Sequence, residues 1–297
     1  MKSGRRGVVM IVVLWVCVMT MWIAFQISAE TRLNGEEEIH RLRRSTALYL
    51  AMGGVYEALG RMGQPLPIDY ESSKDYDQYW LPDGVPRKIQ YETGEAIVII
   101  EEETGKVNVN LANQAQLLEV FERMGLEGDE AENIADHIMD FVDADDLERL
   151  HGGEKAEYEA EGLSYEPFNG LLTSLDQLLL VPGVTFQLFY GNGLRREDAD
   201  AEPTQLERVN KSEGVALPIE DSMFQLLTVY GNNVSLPTEE EEENEDTTTP
   251  NWQSGGTYRI LSCGKSNLGP PGVILWLVVK YSPGSSTGYQ VLFRKIL

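Results

Sequence analysis

Basic side chains are scarce in this chain. Its 297 residues carry 24 Lys and Arg against 48 Asp and Glu, a formal charge of −24. Lys2, Arg5 and Arg6 lie in the first seven residues; beyond them 21 basic side chains face 48 acidic ones, or −27. A body of that sign repels nucleic-acid phosphates, whose binding rests on Lys and Arg displacing counterions. It suits cations and basic protein patches instead. Cysteine is nearly absent. Cys17 and Cys263 stand too far apart in character, one in an apolar run and one near the far end, for a disulfide between them. No zinc spacing occurs. His40, His137 and His151 share no spacing with a nucleophile, and P-loop, dinucleotide and hydrolase signatures are missing. These absences argue against a nucleic-acid binder and against an enzyme.

One further absence is local: no charged residue occurs from Val8 to Ala29, a run of 22 residues. As a helix it spans a bilayer core of ~30 Å at ~1.5 Å per residue. A secretory signal peptide has a shorter apolar region and a small-residue cleavage site, and no convincing A-x-A site is present here. The basic leader places the N-terminus in the cytoplasm and the body outside. A short charged leader, Gly7 at the boundary, then a long apolar helix: this resembles the leader of type IV pilins and type II secretion pseudopilins, cut after the Gly by a prepilin peptidase. The residues equally allow an uncleaved signal anchor.

Beyond the anchor, residues 30–62 continue as a helix, with Leu33, Ile39, Leu42, Leu50, Leu59 and Met62 at near-helical spacing. Gly35 and Gly53-Gly54 are weak points, the latter suited to close packing on a sheet, and Gly63 and Pro65 end the helix. An irregular loop follows over 66–87. Strands are predicted over Lys88–Glu92 and Glu95–Glu102 around a Thr93-Gly94 turn. Residues 107–190 change character. One helix is marked by Leu117, Leu118, Val120 and Phe121, and a second by Ala131, Ile134, Ile138 and Phe141. An acidic loop runs from Asp143 to Asn169. A helix then starts near Thr173, with a turn at Pro182-Gly183 and a short helix after it. Helical turns are expected over 203–230, with Met223, Phe224, Leu226 and Leu227 buried. Residues 238–250 form an acidic, solvated tract. TYRILSC, GVILWLVVKYS and GYQVLFRKIL close the chain as an antiparallel meander. The simplest topology is α+β: both strand groups join in one sheet on the N-terminal helix, and the helical block is an insertion. The expected division is 1–7 leader, 8–29 transmembrane helix, 30–105 first part of the sheet domain, 106–235 helical insertion, 236–252 acidic flexible loop and 253–297 last strands.

Five stretches in order make the resemblance specific: RGVVMIVVLWV, YLAMGGVYEAL, GKVNVNLANQAQLL, HIMDFVDADDLERLHGGEKAEY and YEPFNGLLTSLDQLLLVPGV. They resemble the type II secretion minor pseudopilin K family (general secretion pathway protein K). The resemblance covers Arg6 to about Tyr190, the LLTVYG stretch and the final strands. Members often carry a second N-x-N-T-A-like stretch after T-V-Y-G; only GNNVSLP stands here, so the second half of the insertion is shortened. The resemblance implies a pilin-like fold, cleavage between Gly7 and Val8, an inner-membrane anchor with a periplasmic body, and other minor pseudopilins as partners at the pseudopilus tip. Most pilins carry Glu at the fifth mature residue. Here that position is Val12, and the K family lacks this Glu too, which fits a subunit with no neighbour above it. The alternative is a minor pilin of a type IV pilus or DNA-uptake system. LLLVPGV resembles a helix-hairpin-helix element, but the −27 charge is of the wrong sign for DNA and favours a packing role.

The densest acid lies at Asp136, Asp140, Asp143, Asp145 and Asp146, with Glu148 and Glu154 close by. Such crowding is costly unless a cation or a basic partner offsets it, and hard oxygen ligands suit Ca²⁺. The spacing is not an EF-hand, so a solvated acidic loop stands as the other reading. The resemblance implies structural calcium in the insertion, and Asp140, Asp143, Asp145, Asp146 and Glu154 are the candidate ligands.

Overall fold

The computed structural model describes residues 4–64, 79–160, 162–191, 221–236 and 251–297. The expectations for 66–78, 203–220 and 238–250 lie outside these residues. Helix α1 runs unbroken over Gly4–Arg61, 58 residues, or about 87 Å at ~1.5 Å per residue. Its Met10–Ser28 stretch is wholly exposed, with a mean hydropathy of 2.3. Among the described residues it alone is long and apolar enough to cross a membrane. Gly35 does not interrupt the helix, and Gly63, with a φ of 71°, follows its end.

The strands are β1 (Arg87–Tyr91), β2 (Gly94–Glu102), β3 (Val107–Asn108), β4 (Leu227–Thr228), β5 (Thr257–Ser266), β6 (Val273–Tyr281) and β7 (Tyr289–Ile296). Five of them form an antiparallel sheet in the order β1-β2-β5-β6-β7. The two strand groups of the sequence therefore meet, β2 against β5, with Ile99 opposite Leu261. β-branched residues fill the central strands because both faces are covered. Val98, Ile100, Ile260, Leu275, Leu277 and Val279 pack under α1. Their alternate neighbours Ile97, Ile99, Leu261, Cys263, Trp276 and Val278 pack under the segment between β2 and β5.

α1 meets the sheet through Ala47, Leu50, Ala51, Val55 and Ala58, a stripe at helical spacing. The approach is close enough to need glycine on both sides. A Cβ at Gly264 of β5 would strike the α1 backbone at Ala47 and Ala51, and one at Gly54 would meet Val98 and the Ser262 hydroxyl. Gly53-Gly54 thus serves contact and not a break in the helix.

The opposite layer holds α2 (Gln114–Arg123), α3 (Asp129–Val142), α4 (Lys155–Ala160), a 3-10 helix (Leu175–Leu180), α5 (Phe186–Tyr190) and α6 (Met223–Leu226). Asn113 and Gln116 form a reciprocal capping box at the start of α2. Acidic residues in the first turn of α3 complement its dipole. Two features were not foreseen. α4 lies inside the stretch read as loop, and β3 pairs with β4 in parallel, Val107 beside Leu227. Both β3 and β4 are too short to show a period. The Asn residues of GKVNVNLANQ are fasteners: Asn108 donates to Gly231 O (2.7 Å), and Asn110 exchanges two hydrogen bonds with the Leu172 backbone. Leu236 and Trp252, which the sequence placed in a flexible stretch, are buried, and Trp252 Nε1 donates to Trp80 O at 2.9 Å.

A buried charge cluster joins the two layers. Arg259 of β5 and Glu103 are each 1% exposed, with Nε 2.5 Å from Oε1. Arg259 also donates to the carbonyls of Phe224 and Leu227 and lies over the Phe224 ring. Glu103 accepts from the Thr228 hydroxyl. Beside them Lys106 pairs with Glu101 at 2.8 Å, and Gln225 donates to the other Glu101 oxygen. Burial and Arg259 push the Lys106 ammonium below its ordinary pKa. Burial alone would raise Glu101, but Lys106 and Arg259 hold it below its ordinary range. Removing one buried partner strands the other. Glu103→Ala should cost about 3–5 kcal/mol, whereas the paired change Glu103→Leu with Arg259→Met should restore most of it. Denaturant unfolding of the detergent-solubilised chain measures both.

Candidate functional site

The acidic residues of the sequence sort into three groups once folded. Asp136, on the buried face of α3, is fixed by Gln114 Nε2 (2.5 Å) and the His151 backbone N–H (3.2 Å). It ties α2, α3 and the following loop together. Asp140 is fully buried, and Asp143 caps the end of α3. Arg149 reaches back between these two, its Nη1 donating to Asp140 Oδ1 and, at 2.6 Å, to Asp143 Oδ2. Asp140 Oδ2 also accepts from the Arg149 N–H at 3.1 Å. Asp145 and Asp146 are exposed, and Asp145 accepts from the Leu147 N–H at 3.0 Å.

The loop wraps Asp140 so closely that Gly152 is required, since a Cβ there would strike the Asp140 carboxylate. That contact brings Glu154 to the same place. Burial, then Asp140 and Asp143, push the Glu154 carboxyl up, against a hydrogen bond from Asn169 that lowers it. Glu148 is also raised, by its hydrogen bond to Glu157 and the charge of that group. Arg149 therefore offsets part of the local negative charge and leaves Glu154 crowded.

Three buried oxygens here have no hydrogen-bond donor among the described residues: Asp143 Oδ1, Glu154 Oε1 and Asn169 Oδ1. Asn169 holds a positive φ of 48°, and its N–H donates to Phe141 O at 3.0 Å. It was not among the sequence candidates, although it is the Asn of the EPFNG stretch. Among the described residues no three His, Cys, Asp or Glu side chains group closely enough to hold a metal ion by themselves. These unpartnered atoms are two carboxylate oxygens and one amide carbonyl oxygen. All are hard oxygens of the kind Ca²⁺ takes, along with backbone carbonyls and water. The chemistry of the orphaned atoms suits such an ion.

At the other end of the molecule, Gly7 and Val8 lie within α1. The family match falls on β2 and the layer that carries the acidic loop. Residues 96–190 match the family described as type II secretion system (T2SS), protein K. Type II secretion system protein K of Pectobacterium carotovorum subsp. carotovorum is 27% identical over 207 residues, and the putative type II secretion system protein K of Escherichia coli (strain K12) is 23% identical over 206. Each alignment covers 64% of this chain and 61% of the relative's own length. Among solved structures, a chain of the GspK-GspI-GspJ complex from the enterotoxigenic Escherichia coli type 2 secretion system aligns over 90% of this chain and 99% of its own, at 16% identity and a TM-score of 0.44. The matched stretch thus takes in most of β2, the Asn fasteners and the whole Asp140–Asn169 loop.

A carboxyl raised on folding stabilises the fold while protonated, below its unfolded pKa, and that contribution is lost as pH rises through the folded pKa. Glu154→Gln should therefore melt above wild type in chelator at neutral pH. The gap should narrow as pH falls below the carboxylate range, as read by melting curves of the two proteins side by side.

Proposed function

We propose that this protein is a minor pseudopilin of a type II secretion system, sitting at the tip of the pseudopilus and helping to initiate its assembly. The observation that carries this reading is the match of residues 96–190 to the protein K family, on a chain whose sheet lies beneath one continuous helix that begins as an exposed apolar segment. The role is one of assembly, not of catalysis. The apolar segment fits a single-pass anchor; the inner membrane and a periplasmic body follow from the basic leader. Prepilin peptidase cuts between Gly7 and Val8, so N-terminal sequencing of the protein from a strain with that peptidase should begin at Val8. An intact Met1 would contradict the reading.

The tip position has two independent supports. The layer between β2 and β5 covers the sheet face opposite α1, which makes the body too broad for a shaft of closely stacked subunits. Val12 stands where a pilin carries the Glu that meets the amine of an upper neighbour. Other minor pseudopilins are the partners. Labelling the body in isolated pseudopili should give signal at one end in low copy; signal spaced along the shaft would overturn the assignment. The rival reading, a DNA-contacting minor pilin, is opposed by the charge of −27 beyond the leader.

Calcium is the structural ion we assign to the loop, held by Asp143, Glu154 and Asn169, with Asp140 fixed behind them by Arg149. Asp145 and Asp146 stand at its exposed rim. The ion supplies the positive charge that Arg149 leaves lacking. At a hundredfold excess over Kd a bound ion stabilises by ~2.7 kcal/mol. Melting should rise by several degrees on adding Ca²⁺ after chelation, and Asp143→Asn should abolish the rise. No change, with no metal in the purified protein, would leave a solvated loop.

A further inference from the structure

α1 does not cover the sheet evenly. It packs on β2, β5 and β6, and of β7 only Tyr289 joins the core beneath it. The other face of β7 is well covered: Phe293 meets Trp276 edge to face, and Lys295 pairs with Asp176 of the 3-10 helix at 2.6 Å. On the α1 side, Val291 is 49% exposed and Ile296 43%, while Tyr56 of α1, across from them, is 63% exposed. Between helix and strand runs an open trough. Met52, Val55 and Leu59 form one wall, Leu277 the floor, and Val291 and Arg294 the other wall. Strands lie ~4.8 Å apart and a helix is ~10 Å wide, so one helix centred on β5 leaves most of β7 uncovered. A second helix at the usual 8–10 Å beside α1 would lie over β6 and β7.

Two observations say what that helix is. Arg294 is a cation on an apolar wall in a strongly acidic chain, and among the described residues it has no carboxylate partner. Moreover, the trough lies alongside α1, which continues without a break into the Met10–Ser28 segment. A neighbour anchored in the same membrane arrives with its own helix beside α1. We propose that the trough between α1 and β7 is the docking site for the amphipathic helix of a second pilin-like subunit. That helix presents an apolar stripe to Val55, Leu59 and Val291 and a carboxylate to Arg294. The proposal rests on the minor-pseudopilin reading and adds the face and the chemistry of the contact.

The test is co-purification in detergent of the full-length chain with each pilin-like subunit encoded beside it, the partner carrying the affinity tag. Val291→Asp and Arg294→Glu should each lower recovery at least tenfold while melting near wild type. Leu171→Asp, an exposed change in the layer on the opposite sheet face, should not. Reversing the partner's groove-facing Asp or Glu to Lys should restore recovery with Arg294→Glu. Equal recovery of wild type and both trough variants would overturn the docking site and leave the minor-pseudopilin reading intact. If wild type captures none of these subunits, that reading fails and the trough falls with it. If the trough variants lose only self-association, the occupant is a second copy of this chain and the proposal is wrong.

Discussion

The ion pair between Glu103 and Arg259 sits where every part of the molecule meets. Arg259 lies in the central strand, between Glu101 of β2 and Val278 of β6. Its guanidinium points into the layer opposite α1 and holds the carbonyls of Phe224 and Leu227 there. A charge at that depth is tolerable only if every neighbour keeps its place. Glu103 must leave β2 at the right angle, Thr228 must turn its hydroxyl inward, and Phe224 must lie under the cation. An apolar contact would stabilise as much but would accept sliding; a desolvated pair accepts one arrangement. Trp276, packed between Phe224 and Phe293, fills the space that remains.

Much of this architecture was legible from periodicity. The alternation of β2, β5 and β6 and the helical spacing of α1, α2 and α3 are long patterns, and long patterns survive tertiary context. The layout failed where signals are short or depend on partners. β3 and β4 hold two residues each and exist only because the chain returns to pair with itself. α4 hides in a stretch dense with acid and Gly, because its one buried anchor, Tyr158, is too little to mark a helix. Trp252 borders a run of Glu, and composition alone assigned it to solvent.

The acidic loop was legible as a cluster but not as a site. Sequence places Asp136 to Glu154 together without saying which carboxylates turn inward. The fold separates them: Asp136 braces α2 and α3, Asp140 anchors Arg149, Asp143 and Glu154 each bury an oxygen with no hydrogen-bond donor among the described residues, and Asp145 and Asp146 are exposed. Arg149 was hidden because a lone basic residue in an acidic run reads as surface. Asn169 was hidden because it closes the loop 15 residues after Glu154. Its position depends on the backbone bond to Phe141, which nothing in the linear pattern announces.

The chain leaves the sheet after Glu103 and re-enters it at Thr257, and the Glu103 N–H donates to Thr257 O at 2.9 Å. More than half of the polypeptide's length thus departs from and returns to one hydrogen bond. A stretch whose ends touch can be acquired, trimmed or exchanged over evolutionary time without altering the register of the strands around it. The sheet under α1 then keeps its register whatever the size and surface chemistry of the stretch between Glu103 and Thr257.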